Sequence, residues 1–201
     1  MSNDGVNQGR RRFLTGATCV VGAAGVVGAA IPFVGSWNPS AKAKAAGAPV
    51  KANISKIEPG SMITVEWRGK PVYILRRTEE ALASLDKTTD LIRDPNSEAS
   101  KQPTYVDPAN RAIKPEFLVL VGLCTHLGCA PMFKPEVGVD PATGAKNESW
   151  VGGFFCPCHG SKFDLAGRVY QGVPAPTNLE VPPYSFESDG VLLIGVDQEG
   201  A

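Results

Sequence analysis

Charged and apolar residues are distributed unevenly along this chain, and the first forty residues differ in kind from the rest. Three arginines, Arg10 to Arg12, precede a run without any charge from Phe13 to Val34. Such a run would extend about 33 Å as a helix, enough to cross a hydrocarbon core of about 30 Å. The pattern predicts one transmembrane helix, which we place at residues 13–37. Because the arginines precede it, residues 1–12 are expected on the cytoplasmic side.

The residues around the arginines also look like an export signal. Arg-Arg-x-Phe-Leu at positions 10–14 resembles the twin-arginine motif of proteins that fold before they cross a membrane. Ala41-Lys42-Ala43 supplies an A-x-A cleavage motif, so a removed signal peptide is the alternative. We expect retention because the apolar run exceeds the usual signal core of about 7–15 residues. The protein would then be a single-pass protein of the bacterial inner membrane with the rest of the chain on the periplasmic side.

Residues 38–50 have the composition of a linker. From Ser40 to Val50 the sequence is almost wholly alanine, lysine, glycine and proline, without hydrophobic periodicity. We predict a flexible hinge here, although an alanine-rich segment can also become helical, so its stiffness stays open.

Beyond the hinge, the apolar pattern is typical of short strands. Met62–Trp67 and Val72–Arg76 alternate on either side of Arg68-Gly69-Lys70, which predicts a hairpin. A short helix is expected at Thr78–Leu85, because Thr78 can cap it. The segment Asp86–Pro115 is expected to be mostly loop.

Two apolar strands are predicted to run directly into segments rich in cysteine and histidine. They are Phe117–Leu123 and Trp150–Phe155. The remaining short strands are expected at Val169, Leu179–Val181, Tyr184–Glu187 and Val191–Val196. The expected fold is mainly β: an antiparallel β domain over residues 51–201, with the two segments on loops at one end.

Composition agrees with this fold and excludes one class of partner. The 201 residues include 22 glycines and 17 prolines, which favours a turn-rich β domain over a helical bundle. The net charge is zero and no basic patch is interleaved with aromatic residues, so nucleic acid is not an expected partner.

The chemistry of the chain is concentrated in the two loop segments. Both histidines and four of the five cysteines lie there. The segments read Cys124-x-His126-x-x-Cys129 and Cys156-x-Cys158-His159-x-Ser161. One cysteine and one histidine from each loop would give four metal ligands, and in an exported protein the two remaining cysteines should form a disulfide. An iron–sulfur cluster is favoured over structural zinc by the close Cys-x-His spacing, the extra cysteines and export in the folded state.

The segments CTHLGC and CPCHGS resemble the Rieske iron–sulfur family, whose [2Fe-2S] centre is held by two cysteines and two histidines. The resemblance implies one cluster per subunit and a cluster-binding part at about residues 121–178. It implies that Cys124 and Cys156 bind one iron and that His126 and His159 bind the other. It also implies a disulfide between Cys129 and Cys158.

This ligand set has predictable electronic consequences. Two ferric irons, two sulfides, two thiolates and neutral imidazoles sum to zero charge, so the cluster accepts an electron more easily than an all-cysteine one. Ser161 is expected to donate a hydrogen bond to a cluster sulfide or cysteine sulfur, which would raise the potential further; the alternative is a serine that only caps a turn. Iron bound to one ring nitrogen of His126 or His159 makes the other N–H a better proton donor, which couples oxidation to proton release.

The twin-arginine segment, the hinge, both loops and GVPAPTNLEVPPY together resemble the Rieske subunits of bacterial ubiquinol:cytochrome c oxidoreductase, respiratory complex III. Ring-hydroxylating dioxygenases and their ferredoxins generally lack the disulfide cysteines and a membrane span. The small subunit of arsenite oxidase is the alternative. The resemblance implies quinol as substrate, cytochrome b and cytochrome c1 as partners in a dimeric complex, and catalysis at His159, the ligand that faces quinol, and His126.

Two positions depart from the family pattern. Gly172, Pro174, Ala175 and Pro176 correspond to a proline-rich loop that covers the cluster, but Val173 interrupts the usual Gly-Pro-Ala-Pro. Phe163 stands where most members have tyrosine, so one hydrogen bond to a ligand sulfur is lost and a lower potential is expected.

Overall fold

The computed structural model describes Gly5 and residues 7–197, and it divides into two units. The first ends at Ala45 and the second begins at Ala46. The expected cytoplasmic segment 1–12 and the end of the expected domain 51–201 lie partly outside the described residues.

One long helix, α1, dominates the first unit. It runs from Gln8 to Gly35 and is long and apolar enough to cross a membrane. Asn7 caps it by accepting a hydrogen bond from the Arg10 N–H at 3.1 Å. The helix therefore includes the arginines and ends two residues before the predicted boundary of the anchor at residue 37.

The predicted hinge contains a short helix. Helix α2 spans Ala41–Ala46, and the Ser40 hydroxyl accepts from the Ala43 N–H at 3.1 Å. The first strand already begins at Val50, so the irregular part of the hinge is confined to a few residues on either side of α2.

Up to residue 197, the second unit contains nine strands and one further α-helix. Helix α3 is Glu79–Thr88, and a 3₁₀ helix follows at Thr89–Leu91. The strands are β1 (Val50–Asn53), β2 (Met62–Trp67), β3 (Lys70–Arg76), β4 (Phe117–Val121), β5 (Met132–Lys134), β6 (Gly153–Cys156), β7 (Ser161–Phe163), β8 (Tyr184–Ser188) and β9 (Val191–Ile194). They make three antiparallel sheets, in the orders β1-β9-β8, β2-β3-β4 and β5-β6-β7. The predicted antiparallel β fold is confirmed.

Local sequence explains the hairpin β2–β3 and the start of α3. Arg68 and Gly69 both adopt positive φ, 52° and 70°, which is the two-residue turn that matches the twist of paired strands. The hairpin is confirmed, with a turn one residue shorter than predicted because Lys70 pairs with Trp67. Thr78 caps α3 as predicted by accepting from the Ala81 N–H at 3.1 Å, but the helix continues beyond Leu85.

The predicted strand at Leu179–Val181 is wrong. Its backbone bonds go to three different segments: Leu179 N–H to Gly167 O, Val121 N–H to Glu180 O, and Val181 N–H to Lys101 O. Two prolines without an N–H donor follow directly, so no ladder can continue. Val169, another predicted strand position, makes only an isolated bridge to Phe163.

Buried charged side chains stabilise the part of the domain that contains β7. Arg168 and Asp164 form an ion pair of 2.7 Å that is almost wholly removed from solvent. Arg111 donates to the carbonyl oxygens of Ala166, Gly167 and Leu179, and burial lowers its pKa to about 10. These hydrogen bonds hold the turn that follows β7. Phe163 is the last residue of that strand.

Candidate metal centre

The first loop follows β4, whose five residues are all buried. Three residues beyond the strand, Cys124 is buried and its N–H donates to the Cys129 carbonyl at 2.7 Å. The Gly128 N–H donates to the Cys124 carbonyl at 2.9 Å, and Gly128 has φ of 82°, which favours glycine. The loop is therefore closed by its own backbone.

The second loop connects β6 to β7. Cys156 ends β6 and pairs with Ser161, which begins β7. The Gly160 N–H donates to the Cys156 carbonyl at 3.0 Å, and Gly160 has φ of 78°. The tight connection places Cys156 and Ser161, both buried, side by side.

One disulfide joins the two loops. It links Cys129 to Cys158, which lie 29 residues apart in sequence with 6.7 Å between their Cα atoms. Cys124 and Cys156 remain as free, buried thiols, and the fifth cysteine, Cys19, lies on α1. The disulfide pairing implied by the family resemblance is confirmed.

The two imidazoles meet at the outer side of the loops. The ring centroids of His126 and His159 are 4.7 Å apart and the ring planes are almost perpendicular, at 88°. His126 is half-buried, whereas His159 is exposed. The two imidazoles are therefore adjacent near the surface, and the same two loops carry the buried cysteines Cys124 and Cys156.

The surroundings of the thiols fit a metal centre. Burial is the largest influence on Cys124 and raises its pKa, while the His126 backbone N–H and the Ser161 side chain act in the opposite direction. A buried thiolate is unfavourable alone, and a bound metal cation compensates for the lost hydration. Two adjacent buried thiols and two adjacent imidazoles form the donor set that a Rieske centre needs.

A third loop, residues 172–178, closes on the two cysteine loops. Ser161 is fully buried, and its hydroxyl oxygen accepts from the Ala175 N–H at 3.1 Å. Phe163 is also fully buried, two residues further along β7. The proline-rich loop therefore contacts the second cysteine loop through the serine that the sequence singled out.

Sequence reasoning missed two residues that tie this third loop in place. The Thr125 hydroxyl donates to the Thr177 carbonyl at 2.6 Å, which connects the first cysteine loop to it. Arg93 donates to the Ala175 carbonyl at 2.8 Å and to the Val173 carbonyl at 3.0 Å. Thr125 could have been noticed from its place between two ligands, but Arg93 lies in a segment without pattern.

Two family patterns match the chain. The pattern described as "Ubiquitinol-cytochrome C reductase Fe-S subunit TAT signal" covers residues 1–40, and that described as "Rieske [2Fe-2S] domain" covers residues 48–184. The chain therefore holds one [2Fe-2S] cluster.

Relatives over the whole length point to the same family. The "Ubiquinol-cytochrome c reductase iron-sulfur subunit" of Allochromatium vinosum is 53% identical, covering 100% of this chain and 95% of the relative. The protein of the same name from Blastochloris viridis is 42% identical, covering 96% and 97%. "Cytochrome b-c1 complex subunit Rieske-3, mitochondrial" of Nicotiana tabacum is 47% identical over 74% of this chain and 47% of its own length.

The match extends over the N-terminal segment as well as the β domain, and it favours this family over the small subunit of arsenite oxidase. A buried pair of thiols, a surface pair of imidazoles and the interloop disulfide agree with it. The chain belongs to the family of Rieske iron–sulfur subunits of ubiquinol–cytochrome c reductase.

Proposed function

We propose that this chain accepts an electron and a proton from quinol bound by cytochrome b, and passes the electron to cytochrome c1. The observation that carries the proposal is the arrangement of the donors, with both imidazoles towards the surface and the thiols of Cys124 and Cys156 buried. A substrate can therefore reach the nitrogen side of the site and not the sulfur side.

Cys124 and Cys156 are proposed as ligands of one iron, and His126 and His159 as ligands of the other. When bound, the cluster supplies a one-electron acceptor with a potential of about −150 to +300 mV, the range of histidine-ligated centres. Ser161 acts from outside the ligand set, from its buried position opposite Cys156.

His159 is proposed as the residue that receives the quinol. Its imidazole is exposed, so once the ring nitrogen that does not bind iron has released its proton, that nitrogen can accept a hydrogen bond from a quinol hydroxyl and then its proton. His126 is half-buried against it and completes the pair. The two thiols remain inaccessible to the substrate.

The first unit supports a proposal for the placement of the chain in the cell. We propose that residues 13–37 span the bacterial inner membrane once, that residues 1–12 are cytoplasmic, and that the domain 51–201 is periplasmic. Helix α1 has the length and composition for the span, and the arginines precede its apolar part. The segment 38–50 acts as the hinge on which the domain moves between partners in a dimeric complex.

The test of the ligand set is an EPR-monitored redox titration of the intact complex in detergent, from pH 6 to pH 10. We expect a reduced-state signal of mixed nitrogen and sulfur ligation and a midpoint potential that falls as pH rises. A sample with zinc and no iron, or a potential independent of pH, would contradict the proposed ligands.

Hinge motion is tested separately by deleting three residues from the segment 38–50. We expect slower reduction of cytochrome c by quinol with an unchanged EPR signal, because the cluster stays intact while the reach of the domain shortens. A control that replaces Lys42 and Lys44 by glutamine keeps the length of the segment and should leave turnover unchanged. Full turnover with the shortened hinge would overturn the motion.

A further inference from the structure

The proline-rich loop has few backbone donors with which to hold itself in place. Pro174 and Pro176 lack an N–H, so within residues 173–177 only alternate residues can donate. The position of this loop therefore depends on groups outside it. One of them is Arg93.

Arg93 binds two carbonyl groups of the loop at once. Its Nη1 donates to the Ala175 oxygen at 2.8 Å and its Nη2 to the Val173 oxygen at 3.0 Å, so the two bonds lie on either side of Pro174. The planar guanidinium presents its donors in a fixed geometry suited to such paired acceptors. One of these carbonyls belongs to Val173, the residue that departs from the family pattern.

The backbone of Arg93 is itself fixed. Its N–H donates to the Val169 carbonyl at 2.9 Å, and the next residue, Asp94, has its carbonyl bound by the Asn178 side chain at 2.9 Å. Val169 and Asn178 are buried. The guanidinium therefore extends from a rigid base to an exposed position, where it holds the loop.

Hydrogen bonds lead from Arg93 to a serine beside the buried cysteines. Arg93 holds Ala175, the Ala175 N–H donates to the Ser161 hydroxyl oxygen at 3.1 Å, and Ser161 lies directly opposite Cys156 where β6 and β7 pair. A hydroxyl whose oxygen accepts one hydrogen bond directs its own hydrogen elsewhere. Here the nearby acceptors are the sulfur atoms of the buried centre.

We propose that Arg93 is a positioning residue that raises the potential of the cluster by keeping the Ser161 hydroxyl directed at the sulfur atoms of the centre. A hydrogen bond to the sulfur stabilises the more negative, reduced form. The inference rests on the ligand set given under the proposed function. It assigns to a surface arginine outside all three loops a part in setting the driving force for electron transfer.

The experiment uses the intact complex with Arg93→Gln and Arg93→Lys, and measures the midpoint potential by EPR and the exchange rate of the Ala175 amide by hydrogen–deuterium exchange. Both variants should exchange faster at Ala175 and have a lower potential. We expect the equilibrium constant for reduction to fall by up to about tenfold in Arg93→Gln, which is about 59 mV for one electron. Lysine keeps the charge but not the paired bonds, so its effect should lie closer to that of glutamine than to the original protein.

Arg68→Gln is the matched control for loss of one exposed arginine. The Arg68 guanidinium lies over the Trp67 ring, 4.5 Å from its centroid, at the tip of the β2–β3 hairpin. It should change neither the potential nor the exchange at Ala175. A potential unchanged in Arg93→Lys and lowered in Arg93→Gln would mean a through-space charge effect and would overturn the proposal.

A double-mutant cycle with Ser161→Ala distinguishes the route. If Arg93 acts through the Ser161 hydroxyl, Arg93→Gln should shift the potential much less in the Ser161→Ala background than alone. Equal shifts in both backgrounds would overturn the proposed route. The EPR signal of the unsubstituted complex reports the ligand set independently, so failure of that set is distinguishable from failure of the role of Arg93.

Discussion

The two cysteine loops share one backbone turn but place different side chains on it. In each, the N–H of a glycine donates to the carbonyl of a cysteine four residues earlier, Gly128 to Cys124 and Gly160 to Cys156, at 2.9 and 3.0 Å. Both glycines have φ near 80°. Histidine stands two residues after the cysteine in the first loop and three residues after it in the second.

The loops also differ in what supports them. The first closes on itself, because the Cys124 N–H donates to the Cys129 carbonyl. The second continues into β7 and contacts the proline-rich loop through Ser161. One type of backbone turn is therefore enough to present a cysteine and a histidine in both loops. The residues around the second loop can differ without any change in that turn. The two histidines also differ in exposure, because His126 is half-buried and His159 is exposed.

The largest effect is expected from the covalent connection between the loops. Cys129→Ala or Cys158→Ala should each lower the free energy of unfolding by about 3 to 4 kcal/mol, because the unfolded chain regains the freedom of a closed segment of this length. Denaturant unfolding of the cluster-loaded protein measures it. The double variant should lose no more than either single one, since both break the same bond; a clearly larger loss would show that the free thiol that remains has a role of its own.

The shared turn predicts equal penalties at its two glycines. A Cβ at Gly128 or Gly160 meets nothing within 4 Å, so only the positive φ matters. Gly128→Ala and Gly160→Ala should each cost about 1 to 2 kcal/mol in thermal or denaturant unfolding. Asparagine tolerates this region of φ better, so Gly128→Asn should cost less than Gly128→Ala. Unequal alanine penalties would mean that the loops are not equivalent in backbone.

Phe163 lies on the strand that follows the second loop, and its replacement tests how the surroundings of that loop affect the midpoint potential of the cluster. Phe163→Tyr should restore the hydroxyl found in most of the family and raise the midpoint potential, with the equilibrium constant for reduction increasing by up to about tenfold for one hydrogen bond to a charged group. An EPR redox titration measures it. Phe133→Tyr adds the same hydroxyl in β5 and should leave the potential unchanged. A lower or unchanged potential in Phe163→Tyr would refute the explanation.

The smallest effect concerns a further support of the second loop. The Lys162 ammonium ion, on β7, lies 2.9 Å from the Asp140 carboxylate and, together with the N–H groups of Thr143 and Ala142, holds the Asp140 pKa well below its usual range. A depressed carboxyl pKa stabilises the fold above the pKa of the unfolded chain, and the stabilisation is lost as pH falls towards the folded value.

Asp140→Asn should therefore reduce stability at pH 7 and flatten the loss of stability below about pH 4. Thermal unfolding between pH 2.5 and pH 7 measures both. Glu148→Gln, which removes the exposed partner of Lys146, is the matched control and should have no measurable effect. If the stability of Asp140→Asn fell as steeply below pH 4 as that of the unsubstituted protein, protonation of Asp140 would not contribute to the loss of stability in acid.

Elements that depend on residues close together in the chain were predictable from the sequence. The β2–β3 hairpin follows from alternation around Arg68 and Gly69, and the start of α3 from the cap at Thr78. Strands β1, β5 and β7 were missed because each has only three or four residues, and β1 in addition depends on a partner far away in the chain, Ile194 for Val50. At Leu179–Val181 the apolar residues are buried without being a strand.

The metal-binding side chains were predictable from the sequence, but the residues that hold the loop next to them were not. Rarity of histidine and the concentration of cysteine gave the donors, and the family resemblance gave the pairing of Cys129 with Cys158. Arg93 and Thr125 carry no such signal. Arginine and threonine are common residues, and their role depends on carbonyl groups of a loop some fifty to eighty residues away.

The order of residues alone specified an apolar helix after three arginines, a turn-rich β domain and two loops with metal-binding side chains, since these depend on spacing within about ten residues. Folding in three dimensions specified which thiols stay free, which imidazole is exposed and which surface arginine holds the loop over the thiols. Those properties depend on distances between segments that are remote in sequence, and packing of the three sheets sets such distances.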